Sequence, residues 1–418
     1  MTLAISLASC GKEPEPEPVA EVVTPTPTPT PTPIPKTKVT YTYAVDEYTD
    51  WLKECEAAFE AKNDKVDIIL NKVDAVDFAK PGDAFLVSTD DFGACLEAGA
   101  AADIESYVSK AHINKEEDYI ENVINMFTQN DSMYALPLSY ETIGFWYNKK
   151  LFDEAGVAYP NGDWTWMSIV DAAGSLTRES DGIYGVAADY TSVLPLTVTI
   201  YEMGGSIFNE DGSLSDFNNA LNKAGIRCFT DLIEAGYSPS AAAVESKPVE
   251  DWFLEGNLAM VYAGNSFAKR VFAAENAADF ACTYLPTLKG NRATPVTGYG
   301  NCVAASSENK DIAWDFVKFI STDSSCIDGF IEVSELIPAY ATATDKYLTK
   351  VGGDSNLFVF ADEARDSSYV FPKVSGLKEA GEDLAARLLS VYELKDSVDE
   401  ACLEIGGTEV NNSENSEN

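Results

Sequence analysis

Histidine is almost missing from this chain. Its 418 residues hold one, His112, in the polar stretch Ala111-His112-Ile113-Asn114-Lys115-Glu116. A lone imidazole at a polar helix start reads as a solvated surface group. Its isolation excludes Ser-His-Asp and Cys-His nucleophiles, which need a second placed group, and it excludes His-rich metal sites. Positive charge is scarce too. Lys and Arg number 29 against 68 Asp and Glu, a formal net charge of −39, which excludes nucleic acid and anionic membrane surfaces as partners. No apolar run reaches the roughly 18 residues a transmembrane helix needs. The eight cysteines, at 10, 55, 95, 228, 282, 302, 326 and 402, have no CxxC spacing. Apart from Cys10 they read as buried thiols rather than a disulfide framework, and no metal or cofactor is expected.

The N-terminal region is distinctive. Leu7-Ala8-Ser9-Cys10 resembles a bacterial lipobox, in which small residues precede a cysteine that is diacylated and becomes the new N-terminus. Two acyl chains would anchor a domain stably, where one would not. Nine residues precede Cys10 and none is Lys or Arg, so the gene's true start is expected further upstream. A chance match in a cytoplasmic protein is the alternative, and the next segment argues against it. Glu13 to Pro35 alternates proline with Glu, Thr and Val, which favours extended polyproline II and buries no core. At about 3.1 Å per residue it would span roughly 70 Å, a spacer that lifts a domain off a membrane. A Pro-rich recognition ligand is the rival reading, but no basic specificity residue is interleaved. The expected order is a truncated signal and lipobox over 1–10, a linker over 11–36, a folded body, and a polar tail over 409–418.

The body reads as α/β. Hydrophobic residues, 45% of the chain, spread evenly from about Val39 onward, enough for two cores rather than one. Val39, Tyr41 and Tyr43 alternate as a strand, Trp51, Cys55, Ala58 and Phe59 recur at helical spacing, and Val66, Ile68 and Leu70 alternate again. Ala84 to Val87 is a short, fully apolar central strand. Further helices are expected on the 217/221/224/228/232 positions, on Ala313, Phe316, Val317 and Ile320, and on Leu377, Leu384, Leu388 and Val391. Strand and helix in alternation mark a parallel sheet with helices on both faces.

Met133 to Thr177 carries the most information. Tyr134-Ala135-Leu136-Pro137 reads as a strand-ending turn, and Ile143-Gly144-Phe145-Trp146-Tyr147 as a buried strand. Asn148-Lys149, a short helix around Leu151 to Ala155 and a Pro160-Asn161-Gly162 turn follow. Thr165 caps a helix expected to bury Met167, Val170 and Leu176. This string resembles the first inter-lobe crossover of extracellular solute-binding proteins of ABC transporters, in their carbohydrate-binding, maltodextrin-receptor-like branch. The resemblance implies a two-lobed periplasmic-binding-protein-like fold with three crossovers, near Leu136–Ser139, Thr294–Gly298 and Ser334–Tyr340. Pro137, Pro295 and Pro338 each sit at one. The lobes would be 37–136 with 298–335, and 138–295 with 340–408.

Other chemistries leave traces. Ser266-Phe267-Ala268-Lys269 matches the SxxK of penicillin-interacting serine enzymes and Tyr299-Gly300-Asn301 their YxN element, but no Lys-Thr-Gly or Lys-Ser-Gly follows. Asn209-Glu210-Asp211-Gly212 lacks the first carboxylate and the glycine position of a calcium loop and reads as a hairpin turn. A glycosidase would pair Asp90 or Asp91 with Glu141 across one rigid site. The resemblance instead has carboxylates accepting hydrogen bonds from sugar hydroxyls while aromatic rings cover the ring face.

What the resemblance implies about the site is specific. Glu141, four residues after Pro137, matches the ligand-binding Glu, with Tyr140 beside it. Asp46 and Glu47 follow the first strand, where the family places a polar pair or an acid that reaches the ligand; helix capping by Asp46 is the alternative. Thr89, Asp90 and Asp91 follow the third strand, and Val87 stands where a tryptophan is common, against a large stacked oligosaccharide. Tyr190 and Thr191 precede a helix whose leading loop faces ligand. Ser266 holds a tryptophan's stacking position, so Asn265 or Phe267 would take over, and Tyr299 lines the cleft. The implied function is a receptor lipid-anchored through Cys10 on the outer membrane face, binding a mono- or oligosaccharide for ABC permease subunits. It would be a monomer without catalysis. A non-sugar solute, a sensory role and a glycan hydrolase are the alternatives.

Overall fold

The computed structural model describes residue 11 and residues 35–214, 216–352 and 355–407. Cys10, the spacer through residue 34 and the polar tail lie outside the described residues. β1 (Thr37–Tyr43), β2 (Val66–Lys72) and β3 (Ala84–Ser88) open the body as parallel strands, with β1 between the other two. Ala84 to Val87 is buried throughout, as a strand covered on both faces requires. The helix Thr49–Lys62 lays Trp51, Leu52, Cys55 and Phe59 onto the core. A short hairpin, β4 (Thr128–Gln129) with β5 (Ser132–Met133), leads into the 13-residue β6 (Leu136–Asn148). β7 (Tyr184–Ala188) and β8 (Leu258–Gly264) run parallel to each other. β9 (Phe280–Thr283), β10 (Thr294–Val303), β11 (Ile337–Pro338) and β12 (Ser368–Tyr369) follow.

β6 determines the architecture. Its first half, Leu136 to Thr142, pairs antiparallel with β10, and β10 continues onto β3. At Ile143 the partner changes to β8, and from Phe145 also to β9. β11 adds beside Ser139 and Tyr140. The segments expected to cross therefore lie side by side as β10, β6 and β11. The result is a two-lobed α/β fold in sheet order β2-β1-β3-β10-β6-β8-β7. Because both halves share β6 and β10, the described residues from Lys36 on pack as one compact unit.

The Leu136-Pro137 pair starts β6 rather than ending a strand. Pro137 faces Gly300 and Ser139 faces Tyr299, so Leu138 is left out of register as a bulge. The Leu138 carbonyl accepts instead from Ala339 N at 2.9 Å, tying in the third crossing. A bulge is where a strand tolerates proline.

Two helices differ from expectation in the face they bury. Thr165 caps Trp166–Leu176 with a capping box, but the buried stripe is Ile169, Ala172, Ala173 and Leu176, and Met167 is 63% exposed. In Ala220–Glu234 the expected Cys228 and Leu232 are buried, as is Phe217 just before the helix, but the core face extends to Asn222, Gly225, Ile226, Phe229 and Ile233 while Leu221 and Ala224 are only half-buried. Backbone contact explains this: a Cβ on Gly225 would lie 2.6 Å from Ile200 Cα, and Asn222 Nδ2 donates to Ser206 O at 2.7 Å. The other two helices bury the residues expected of them. All seven cysteines among the described residues are buried and free.

Candidate ligand-binding cleft

A cleft of about 400 Å³ opens over the C-terminal ends of β1 and β3, where parallel sheets place ligands. The turn after β1 supplies Val45, Glu47 and Tyr48, and the end of β3 supplies Ser88, Thr89 and Asp90. The crossing strands supply Glu141 from β6 and Thr297, Gly298 and Tyr299 from β10. The approach to β11 adds Val333, Glu335 and Leu336, and Leu194 reaches in from the helix Val193–Glu202.

Local structure places each group. Ser88 caps the helix Thr89–Glu97 by accepting from Asp91 N at 3.1 Å, while its hydroxyl donates to Asp91 Oδ2 at 2.8 Å. Asp91 is thereby engaged at the cap, outside the lining. Gly298 N donates to Thr89 Oγ1 at 3.3 Å, joining the β3 end to the second crossing. Glu141 precedes the point where β6 changes partners. Its Oε1 accepts from Ser266 N at 3.2 Å. A Cβ on Gly264 would come within 1.9 Å of that oxygen, so glycine there is a condition for the carboxylate's position. Gly298 is equally constrained, since a Cβ would lie 2.1 Å from Ser139 O across the crossing strands.

The electrostatics are acidic and partly desolvated. Burial holds the Glu141 carboxyl above its usual range, the Ser266 hydroxyl and N–H oppose it, and Glu335 and Glu250 add to it. Asp90 is exposed at the rim yet also raised, first by desolvation and then by Asp91. Tyr299 meets Tyr48 edge-on at 6.1 Å, and burial followed by Asp90, Asp91, Glu141 and Glu47 raises its phenol. No cluster of three or more metal-ligating side chains exists among the described residues.

Glu47, Thr89, Asp90, Glu141 and Tyr299 come together in the cleft as sequence suggested. The remaining candidates lie elsewhere. Asp46 makes no capping bond and pairs with Lys72 at the end of β2. Tyr140 is fully buried, with strand alternation pointing it away from Glu141. Tyr190 stacks on Tyr392 at 5.2 Å and hydrogen-bonds Ser238 at 2.7 Å, within the second-half core. Thr191 bonds Asp189 in a surface turn. Asn265 Oδ1 accepts from Thr142 N at 3.0 Å, and Phe267 packs edge-on against Trp146 at 5.7 Å. Neither lines the cleft. Lys269 of the SxxK match donates to the carbonyls of Ile331 and Glu332, at the end of the helix Ser324–Val333, and Asn301 is buried against Tyr41 and Ser321.

Sequence reasoning missed Tyr48, Thr297, Gly298, Glu335 and Leu194. Adjacency is the available signal: Tyr48 follows Glu47, Gly298 precedes Tyr299, and Glu335 falls within the third crossing.

A profile of bacterial extracellular solute-binding proteins matches residues 34–325. The chain is 24% identical over 333 residues to the maltotriose-binding protein of Pyrococcus abyssi, covering 78% of this chain and 69% of that protein. It is similar to the solved ABC substrate-binding protein of Listeria monocytogenes in complex with cycloalternan. That match has a TM-score of 0.73 and 23% identity over 89% of this chain and 97% of that one. The sugar-binding protein MalE of Xanthomonas citri matches with a TM-score of 0.76 and 17% identity, over 88% and 95%.

Proposed function

The chain belongs to the bacterial extracellular solute-binding protein family, and from that premise we propose that it is a carbohydrate receptor delivering its ligand to an ABC importer. One observation carries the reading. The cleft lies where β6, β10 and β11 run side by side, and it combines carboxylates with the rings of Tyr48 and Tyr299. Carboxylates accept hydrogen bonds from sugar hydroxyls, and tyrosine covers a ring's apolar face. The ligands named for the Pyrococcus and Listeria proteins, maltotriose and cycloalternan, support the same class. Residues 37–136 with 298–335 form one lobe and 138–295 with 340–408 the other. They close over ligand by bending at the crossing strands, and no bond is made or broken. The receptor acts as a monomer, and acylated Cys10 holds it on the outer membrane face.

Thermal shift against a saccharide panel tests the ligand class. A ligand at 100 times its dissociation constant adds about 2.7 kcal/mol to stability. A shift with another solute class and with no saccharide overturns the carbohydrate part. For the anchor, Cys10→Ala in a chain carrying its complete signal is expected to appear in the medium or to stay unprocessed. Membrane retention at the wild-type level, measured by fractionation, overturns it.

A further inference from the structure

The charge of the cleft is one-sided. Its lining includes the carboxylates of Glu47, Asp90, Glu141 and Glu335, and no Lys, Arg or His. Asp46, adjacent in sequence to Glu47, pairs with Lys72, but among the described residues no ion pair reaches any of the four lining acids. Two lysines stand nearby. Lys378 lowers Asp90, but Glu379 and Glu382 of the same helix act on Asp90 in the opposite sense. Lys269 feels Glu335, yet its amine is held by two carbonyls at 2.9 and 2.7 Å.

Closing this cleft over a neutral ligand would remove four like charges from water without a countercharge. Burying an unpaired carboxylate is costly, and hydroxyl donors compensate only in part. An ammonium group supplies three donors and the missing charge together. The half-buried Tyr299 ring also favours a cation over its face. The volume, about 400 Å³, lies toward the small end for ligand clefts, suiting one or two rings.

We propose that the ligand is a cationic saccharide, a sugar of one or two rings bearing at least one free ammonium group held by Glu141 and Asp90. The proposal rests on the carbohydrate reading above and narrows it.

The test is calorimetry on the full chain at pH 7 with matched triplets of hexoses and disaccharides. Each triplet holds the amino sugar (2-, 3- or 6-amino), its N-acetyl form and the parent hydroxyl sugar, and an aliphatic diamine is run beside them. The expected result is at least one amino sugar binding about 10-fold or more tighter than both its counterparts. That advantage is expected to shrink in Glu141→Gln or Asp90→Asn and with added salt. If a neutral or N-acetylated sugar binds as tightly as its amino counterpart, the charge inference is overturned and the carbohydrate reading stands. If the diamine binds and no saccharide does, the carbohydrate reading falls and takes the proposal with it. If no amino sugar binds at millimolar concentration, the proposal is likewise overturned.

Discussion

Glu141→Gln is expected to weaken ligand binding by about 10- to 150-fold, with the melting temperature of the ligand-free protein unchanged or slightly higher. An ionised carboxylate has lone pairs on both oxygens; Ser266 N occupies one of them at 3.2 Å and the Ser266 hydroxyl bonds the same carboxylate, leaving the remaining lone pairs to the cleft. Losing a charge-assisted hydrogen bond costs roughly 1.5–3 kcal/mol, which sets that range. Stability behaves differently because burial raises this carboxyl. A carboxyl raised in the folded state is harder to ionise there than in the unfolded chain, so its charge contributes nothing to folding near neutral pH. Gly264→Ala provides an independent check. The added Cβ would sit 1.9 Å from Glu141 Oε1 and 2.7 Å from the carboxyl carbon, so the carboxylate must move and affinity is expected to fall as in Glu141→Gln. In a Glu141→Ala background the same change should do little more, because nothing remains to displace. Unaltered affinity in both single variants, measured by calorimetry with the true ligand, moves the binding site away from Glu141.

Glu202→Gln is expected to stabilise the protein at neutral and alkaline pH. Glu202 ends the helix Val193–Glu202 fully buried, and neither carboxylate oxygen has a side-chain partner. Burial first, then Glu363, hold its carboxyl well above the usual range, while the Ala293 N–H and Arg292 pull the other way. Glu363 is itself raised by burial; its Oε1 accepts from Leu285 N at 3.0 Å and lies 4.0 Å from Arg292 Nε. Tyr262, Tyr369 and Cys228 face the same charge. The sign follows from linkage: the folded state holds this proton more tightly than the unfolded chain. Stability is therefore full below the unfolded value, about pH 4.3, and declines as pH rises toward the folded one. At pH 7 the loss from one such carboxyl is at most about 3.7 kcal/mol. Glutamine removes it, for an expected gain of up to about 3.7 kcal/mol that vanishes near pH 4. Urea unfolding from pH 4 to 9 is the measurement, and a variant curve parallel to wild type across that range would sink the idea.

Legibility followed the physics of each element. β3 is readable because a strand covered on both faces must be apolar throughout, and Ala84 to Val87 is. The helix Leu377–Tyr392 is readable because Leu377, Leu384, Leu388 and Val391 recur at helical spacing. Ala220–Glu234 was only partly readable because its closest approach to a neighbour is made by Gly225 and Asn222, residues that hydropathy counts as outward. The candidate site divides along the same line. Glu47, Thr89 and Asp90 follow strand ends, where chain direction alone brings them to one edge of the sheet. Tyr190 and Phe267 are aromatic residues beside loops, and nothing local separates a cleft platform from a core ring. Packing against Tyr392 and Trp146 makes them core.

The sequence by itself determined the α/β class, the segments that become the crossing strands, and several of the acids that line the cleft, Glu47, Asp90 and Glu141. These follow from periodicity, proline placement and local composition, which act over a few residues and survive without neighbours. Only the tertiary structure decided that β6 changes partners between Thr142 and Ile143, that Leu138 bulges beside Pro137, and that Gly264 makes room for the Glu141 carboxylate. It also brought Glu335 and Leu194, distant in the chain, to the same cleft. Each depends on contacts between segments more than a hundred residues apart or on a single missing Cβ, and short-range pattern carries neither.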